Sequence, residues 1–166
     1  KEEVPLIDCS WQEPHIKQLE EATGRKCIDL DVAIEEQMGL SIEAAFAQRG
    51  EVFFRNQEAL VLDKVLSDST IEIVACGGGA SCAEGRGALL SGAGLVVHLD
   101  PPFEVLIPRL LSNPNRPLLM RSGAMLTELE IKAHWEGRKS CYAFAHERLV
   151  HPASHRDIQR WKALFD

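Results

Sequence analysis

The sequence has no run of apolar residues near the roughly 18 that a membrane-spanning helix needs. Its first residues, Lys1 to Pro5, lack the charged and apolar pattern of a signal peptide. It also lacks an excess of positive charge, since the formal net charge is -7 at pH 7. These absences argue against membrane and nucleic acid as partners, and we expect a cytoplasmic protein.

The cysteines show no metal or redox spacing. There are five, an odd number, and no two of them are separated by the two residues of a CxxC motif. We therefore expect free thiols in a reducing compartment rather than a disulfide framework. The five positions are Cys9, Cys27, Cys76, Cys82 and Cys141.

Length and composition fit one compact domain that spans residues 1–166. The chain has 166 residues, of which 45% are hydrophobic and 26% charged, close to the globular average. No internal repeat, low-complexity tract or long linker divides it. A single folded domain is the expectation.

Short apolar runs alternate with amphipathic stretches, which predicts an α/β fold with a parallel sheet. The predicted strands are Val4–Ile7, Lys26–Asp29, Ile71–Ala75, Leu95–Leu99 and a weaker one at Arg148–Val150. The predicted helices are His15–Thr23, Asp31–Met38, Ser41–Gln48, Val52–Leu66, Ala83–Ser91, Phe103–Leu111, Leu126–Phe144 and Ser154–Phe165, the last capped by Ser154.

Polar groups and glycines follow two of the predicted strands, where ligands bind in open parallel sheets. Asp29 and Asp31 are one residue apart, so on an extended segment they point the same way. They could hold a hydroxyl group and a magnesium ion, or cap the helix that follows. Gly77, Gly78 and Gly79 leave room for a ligand to approach the backbone, although a tight turn explains them equally well.

Arginines are the remaining candidates. Arg55 could clamp a carboxylate in bidentate fashion, although solvated surface arginines are commoner. Arg138 lies four residues before Tyr142 on a predicted helix. Arg116 belongs to the stretch Ser112–Gly123, whose Pro, Asn and Gly content predicts a mobile surface loop.

Taken in order, these motifs resemble the shikimate kinases from about Ala22 to Tyr142. The motifs are Asp-x-Asp-x-x-Ile-Glu from Asp29, Gly50-Glu51-x-x-Phe54-Arg55-x-x-Glu58, Gly77-Gly78-Gly79, Arg116-Pro117-Leu118-Leu119, and Arg138 before Tyr142. The resemblance implies a three-layer α/β/α fold of the P-loop nucleoside-monophosphate-kinase type. It also implies a five-stranded parallel sheet and a flexible lid loop.

The resemblance also implies a substrate pocket for shikimate or a similar ring acid. Asp31 would bind the ring hydroxyls, beside the one that attacks, and is a catalytic candidate. Arg55 and Arg138 would hold the substrate carboxylate. Gly77, Gly78 and Gly79 would line the ring.

For phosphoryl transfer, the resemblance implies ATP and magnesium as cofactors if the protein is active. Asp29 would help to order the magnesium ion through water. Arg116, the second catalytic candidate, would swing in from the lid to the transferring phosphoryl group, and Arg109 would lie near the adenine. Such transfer depends mostly on positioning and charge neutralisation.

The segment from Leu6 to His15 departs from the family pattern. Shikimate kinases follow the first strand with Gly-x-x-x-x-Gly-Lys-Ser/Thr, which cradles phosphate and binds magnesium. Here no glycine precedes Gly24, Gln12 falls at the lysine position and Glu13 at the hydroxyl position. Pro14 removes an amide donor, and Glu13 adds negative charge. We expect nucleotide binding to be lost or very weak.

Two functions remain open. One is a relative that binds shikimate or a similar ring acid without effective catalysis, as a sensor, a scaffold or one domain of a larger assembly, and then without a cofactor. The other is a working shikimate kinase, converting ATP and shikimate to shikimate 3-phosphate, whose first residues here do not represent the native enzyme.

Overall fold

The computed structural model describes residues 6–8, 13–112, 119–121, 124–150 and 154–163, with the backbone alone at residues 6–8, 13–16, 109 and 121. Its strands are Leu6–Asp8 (β1), Cys27–Asp29 (β2), Ile73–Cys76 (β3), Val96–Leu99 (β4), Met120–Arg121 (β5), Ala124–Met125 (β6) and Glu147–Leu149 (β7). Its α-helices are Glu13–Thr23 (α1), Leu30–Met38 (α2), Ile42–Ser67 (α3), Arg86–Ala93 (α4), Phe103–Ser112 (α5), Glu128–Arg138 (α6) and His155–Lys162 (α7). A 3₁₀ turn, Lys139–Tyr142, follows α6.

The main sheet has five strands in the order β2-β3-β1-β4-β7, and every pairing in it is parallel. Each of its strands overlaps one predicted from an apolar run, so the predicted five-stranded parallel sheet is confirmed. The strand β1 lies at the centre, between β3 and β4. Strands buried on both faces read as apolar runs, as β3 does throughout and β4 does except at His98.

Helices cover both faces of the sheet, because successive strand residues point to opposite sides. Ile73 and Val97 pack in one buried cluster with residues of α1, α5, α6 and α7. Their neighbours Val74 and Val96 pack in the other, with residues of α2, α3 and α4. This is the three-layer α/β/α arrangement that the resemblance implied.

Side chains that accept backbone N–H groups start four of the helices. The caps are Asp29 for α2, Ser41 for α3, Thr127 for α6 and Ser154 for α7. Thr127 and Ser154 form reciprocal capping boxes with the acidic residue three positions later. The Ser154 cap was predicted from the sequence and is confirmed.

Two helix predictions need comment. The predicted break between Ser41–Gln48 and Val52–Leu66 is present as a bend in α3 at Gly50, whose φ of 83° and ψ of 172° are not helical. The single helix predicted over Leu126–Phe144 is wrong. The α-helix ends at Arg138, and a 3₁₀ turn follows it. From this turn the Tyr142 hydroxyl donates a hydrogen bond to the carbonyl oxygen of Gly78, in the segment Gly77–Gly79 that we call the glycine turn.

The loop predicted over Ser112–Gly123 is only partly tested. Ser112 is the last residue of α5, and β5 pairs antiparallel with β6, so the described ends of the stretch are regular rather than loop. The pairing of Met120 with Met125 explains the second difference. Residues 113–118, 122 and 123 lie outside the described residues. No helix within the described residues is long and apolar enough to cross a membrane.

Candidate functional site

The candidate residues converge at the carboxyl ends of β2 and β3. These strands are parallel neighbours, with Asp29 opposite Ala75 in the register. Asp31 follows β2 in the first turn of α2, and the segment Gly77–Gly79 follows β3. The carboxyl ends of neighbouring parallel strands form the crevice where ligands bind in such sheets. The structure therefore brings the acidic motif and the three glycines to one place.

Asp31 lies directly against the first glycine. A Cβ atom built on Gly77 would lie 2.7 Å from Asp31 Oδ1 and 3.2 Å from Oδ2. Carbon and oxygen atoms do not approach so closely without displacement, so any side chain at position 77 would push the Asp31 carboxylate away. Glycine is needed here for close approach rather than for an unusual backbone angle, since Gly77 is absent from the positive-φ glycines.

Arg55 lies against the third glycine in the same way. A Cβ atom on Gly79 would lie 2.5 Å from Arg55 Nη1 and 2.8 Å from Nη2. The Arg55 guanidinium donates a hydrogen bond of 2.7 Å to Glu58 Oε2 and contacts Glu51 Oε1 at 3.4 Å. Glu58 is 5% exposed, whereas Glu51 is exposed. The sequence placed both acids near Arg55 but did not indicate which of them is buried.

The neighbouring carboxylates keep Arg55 ionised. Burial acts to lower the Arg55 pKa, but the hydrogen bond and charge of Glu58, with Glu51 behind it, outweigh burial and raise that pKa. Burial raises the pKa of Glu58, and the Arg55 hydrogen bond, together with the charges of Arg55, Arg138 and Arg86, offsets part of the rise. The Arg55 hydrogen bond and charge therefore compensate in part for the water that the Glu58 carboxylate loses when it is buried.

The middle glycine is held through its backbone. The carbonyl oxygen of Gly78 accepts a hydrogen bond from Arg138 Nη1 at 3.4 Å and a shorter one from the Tyr142 hydroxyl. Tyr142 also stacks on His98, with ring centroids 4.1 Å apart and an interplanar angle of 18°. Arg138 therefore reaches the glycine turn from the end of α6, across from Arg55 on α3.

His98 is a site neighbour that the sequence analysis did not single out. It is 9% exposed, on β4, and burial lowers its pKa, with Asp100 raising it and Arg148 lowering it further. Asp100 is also buried and accepts a 2.7 Å hydrogen bond from Arg148 Nε. The signal in the sequence was a histidine inside an otherwise apolar strand, with an aspartate directly after it. Polar side chains that are buried usually have a hydrogen-bond partner, so both residues could have been picked out as candidates.

Asp29 caps a helix in this structure. Its Oδ1 accepts hydrogen bonds from the backbone N–H groups of Asp31, at 2.8 Å, and Val32, at 3.3 Å. The cap alternative of the sequence analysis is therefore observed, and the magnesium role remains a prediction. Arg109 lies on α5 with its side chain outside the described residues, and Arg116 lies outside them altogether.

The residues around the start of α1 do not fit a polyphosphate. Strand β1 ends at Asp8 and α1 begins at Glu13, with Pro14 next. A helix start binds phosphate through backbone N–H groups, a nearby cation and positive dipole charge. Pro14 has no N–H to donate, and the negative charge of Glu13 would repel the phosphates of a nucleotide. No lysine or arginine stands between β1 and α1 to neutralise those phosphates. Magnesium, which usually binds through substrate phosphates, would lose those ligands as well.

Comparison with known proteins points to one family. The sequence model of the shikimate kinase family matches residues 16–163. The chain is 38% identical over 138 residues to the shikimate kinase of Synechococcus elongatus, covering 83% of this chain and 70% of that protein. It is 32% identical over 133 residues to that of Persephonella marina, covering 80% and 77%.

Solved structures agree as well. The shikimate kinase from Acinetobacter baumannii in complex with shikimate superposes with a TM-score of 0.82 at 28% identity, covering 97% of this chain and 90% of that one. The shikimate kinase from Aquifex aeolicus gives a TM-score of 0.78 at 25% identity, covering 97% and 95%. From the family match and these relatives, the chain belongs to the shikimate kinase family.

Proposed function

We propose that this protein binds shikimate or a similar hydroxylated ring acid, and that its ATP-dependent phosphoryl transfer is lost or strongly impaired. The observation that carries the first half is the convergence of Asp31, Arg55 and Arg138 on one glycine turn. The turn, residues 77–79, has no side chains of its own, and the Asp31 carboxylate and the two guanidinium groups lie against it.

The chemistry of these groups suits a ring acid. A carboxylate on the ring would pair with the Arg55 and Arg138 guanidinium groups, which present several N–H donors in a planar fork. Ring hydroxyls would donate to the Asp31 carboxylate and lie over the glycine turn. Both arginines are half-buried, which strengthens their attraction for a carboxylate relative to a solvated surface arginine.

Glu58 gives this clamp its geometry. Its carboxylate accepts a 2.7 Å hydrogen bond from Arg55 Nη1, the guanidinium nitrogen that lies nearest to the Cβ position of Gly79, so the guanidinium is held against the glycine turn. A side chain already held in its bound position loses less entropy when ligand arrives. The ordered pair therefore supports ligand binding as well as stability.

The second half of the proposal rests on the residues between β1 and α1. In the family's pattern this connection supplies glycine amides, a lysine and a hydroxyl. In this chain, Gln12, Glu13 and Pro14 stand there instead. The known chemistry of the family uses ATP and magnesium; the residues here would neither cradle the phosphates nor neutralise their charge.

Calorimetric titration of the protein with shikimate, and separately with Mg-ATP, tests both halves. We expect saturable binding of shikimate and no Mg-ATP binding in the micromolar range. Arg138→Ala serves as the site variant. Arg156→Ala, an exposed arginine on α7, serves as the matched control.

Each titration can contradict its own half of the proposal. Absence of shikimate binding to a folded protein would refute the pocket assignment. Micromolar Mg-ATP binding, or steady formation of a phosphorylated ring acid from ATP and shikimate, would refute the loss of phosphoryl transfer and favour a working kinase.

A further inference from the structure

Two cysteines lie on the two segments that meet at the glycine turn. Cys82 follows the turn, and its backbone N–H donates a 3.1 Å hydrogen bond to the Gly79 carbonyl. Cys141 is in the 3₁₀ turn between Arg138 and Tyr142, and both of these residues donate to the Gly78 carbonyl. The two cysteines are far apart in sequence, but they lie on two segments that hydrogen-bond to the adjacent glycines Gly78 and Gly79.

The two thiols interact. Burial, the hydrogen bond to Cys141 and the charge of Cys141 together raise the pKa of Cys82 to about 12, while Arg138 acts in the opposite direction. Cys82 is nonetheless exposed as a residue, and Cys141 is half-buried. A small disulfide in solution can therefore reach the pair. By contrast, Cys76 is buried in β3, and Cys27 is the first residue of β2, at the end of the strand that is remote from the glycine turn.

We propose that Cys82 and Cys141 form a reversible intramolecular disulfide that fastens the glycine turn to the segment carrying Arg138 and Tyr142. The inference is independent of the proposed ring-acid function, because it rests on the two thiols and the segments that hold them. It assigns a modification site to residues that the phosphoryl-transfer chemistry of the family does not use.

The oxidant is a low-molecular-weight disulfide such as oxidised glutathione. The thiolate of one cysteine of the pair attacks one sulfur of that disulfide, forming a mixed disulfide and releasing one glutathione thiolate, which takes up the proton that this cysteine lost. The sulfur of the other cysteine then attacks the protein sulfur of the mixed disulfide. This forms the Cys82–Cys141 bond and releases the second glutathione, which takes up the proton of the second cysteine. The protein loses two protons and two electrons, and one oxidised glutathione becomes two reduced molecules.

The experiment equilibrates the 166-residue protein with mixtures of reduced and oxidised glutathione, blocks free thiols by alkylation in acid, and measures intact and peptide masses. We expect loss of two hydrogens from the intact protein and a tryptic cross-link between the peptide containing Cys82 and the peptide containing Cys141. Cys82→Ser and Cys141→Ser should each abolish the cross-link. Cys76→Ala, which removes the other cysteine of the Cys82 peptide, and Cys27→Ser should both retain it.

The disulfide is refuted if the wild-type protein carries only glutathione adducts or stays fully reduced at every ratio. It is equally refuted if the cross-link survives in Cys82→Ser. Circular dichroism of each variant confirms that the protein compared is folded.

Discussion

Replacing Gly79 by alanine tests whether the glycine turn positions Arg55. Gly79 has no positive φ, so alanine is compatible with the backbone, and the effect comes from the added carbon alone. That carbon would lie 2.5 Å from Arg55 Nη1, against the roughly 3.4 Å of an ordinary contact. The guanidinium is the mobile end of a long side chain, so it will move by about an ångström rather than the backbone.

The displacement has a cost that can be worked from the structure. Moving Arg55 away lengthens its 2.7 Å hydrogen bond to Glu58, whose side chain is 6% exposed. A buried carboxylate that loses its partner costs about 1–3 kcal/mol of unfolding free energy. If Arg55 also holds the ring acid, an ångström of misplacement should weaken shikimate binding by about tenfold or more.

Urea unfolding and shikimate calorimetry measure the two effects on the same Gly79→Ala protein. Gly92→Ala is the matched control, because a Cβ at Gly92 on α4 would meet nothing within 4 Å. This control should keep its shikimate affinity, and its stability should stay the same or rise by up to about 1 kcal/mol, since alanine favours a helix over glycine.

The outcomes separate the structural from the functional part of the reasoning. A stability loss with unchanged shikimate affinity would keep the Arg55–Glu58 geometry and refute the role of Arg55 in the clamp. Unchanged stability, within about 0.5 kcal/mol, would refute the close packing of Gly79 against Arg55 itself.

Three further predictions concern the clamp, the lid and a buried histidine. Arg138→Ala should lower shikimate affinity at least tenfold, about 1.4 kcal/mol, in calorimetry, with Arg156→Ala unchanged, and equal affinities would contradict the clamp. Hydrogen exchange over residues 112–123 should not change on addition of Mg-ATP, because Arg116 gains no phosphate partner; protection that rises would mean that the kinase machinery works. The His98 pKa is lowered by burial, so the neutral form stabilises the fold above the unfolded pKa, and that stability is lost as pH falls from about 6.5 through the folded pKa. His98→Asn should therefore reduce the acid slope of unfolding free energy by at most about 1.4 kcal/mol per pH unit, measured by urea unfolding between pH 7 and pH 5.

The sequence predicted the sheet well, and it placed the candidate residues at one edge of that sheet, for a physical reason. Buried parallel strands need continuous apolar runs, and polar residues that follow such runs must emerge at one edge of the sheet. This is why Asp31 and the glycines after β3 could be expected to meet. Their partners Arg55 on α3 and Arg138 on α6 were predicted from the order of the motifs and the family resemblance, not from local pattern.

Other features depend on packing that local pattern does not encode. Glu51 lies four residues before Arg55 and Glu58 three residues after it, so both can reach it along the helix, and only the packing of α3 decides that Glu58 is the buried one. Asp29 fits a helix cap and a magnesium ligand equally well in sequence, and the backbone N–H groups that it accepts are visible only in three dimensions. The end of α6 was misjudged because a 3₁₀ turn continues almost the same spacing of apolar residues.

The central place of β1 has a consequence for the order in which the chain can fold during synthesis. Among the described residues, Leu6–Asp8 pair with Val74–Cys76 and Val96–His98, so the middle of the sheet stays open until β4 has left the ribosome. The β2–β3 pair and the helices α2 and α3 between them can assemble earlier, since their contacts are closer along the chain. An early-made strand must then wait for late-made neighbours, and until they arrive both of its backbone edges are open to pairing with another nascent chain.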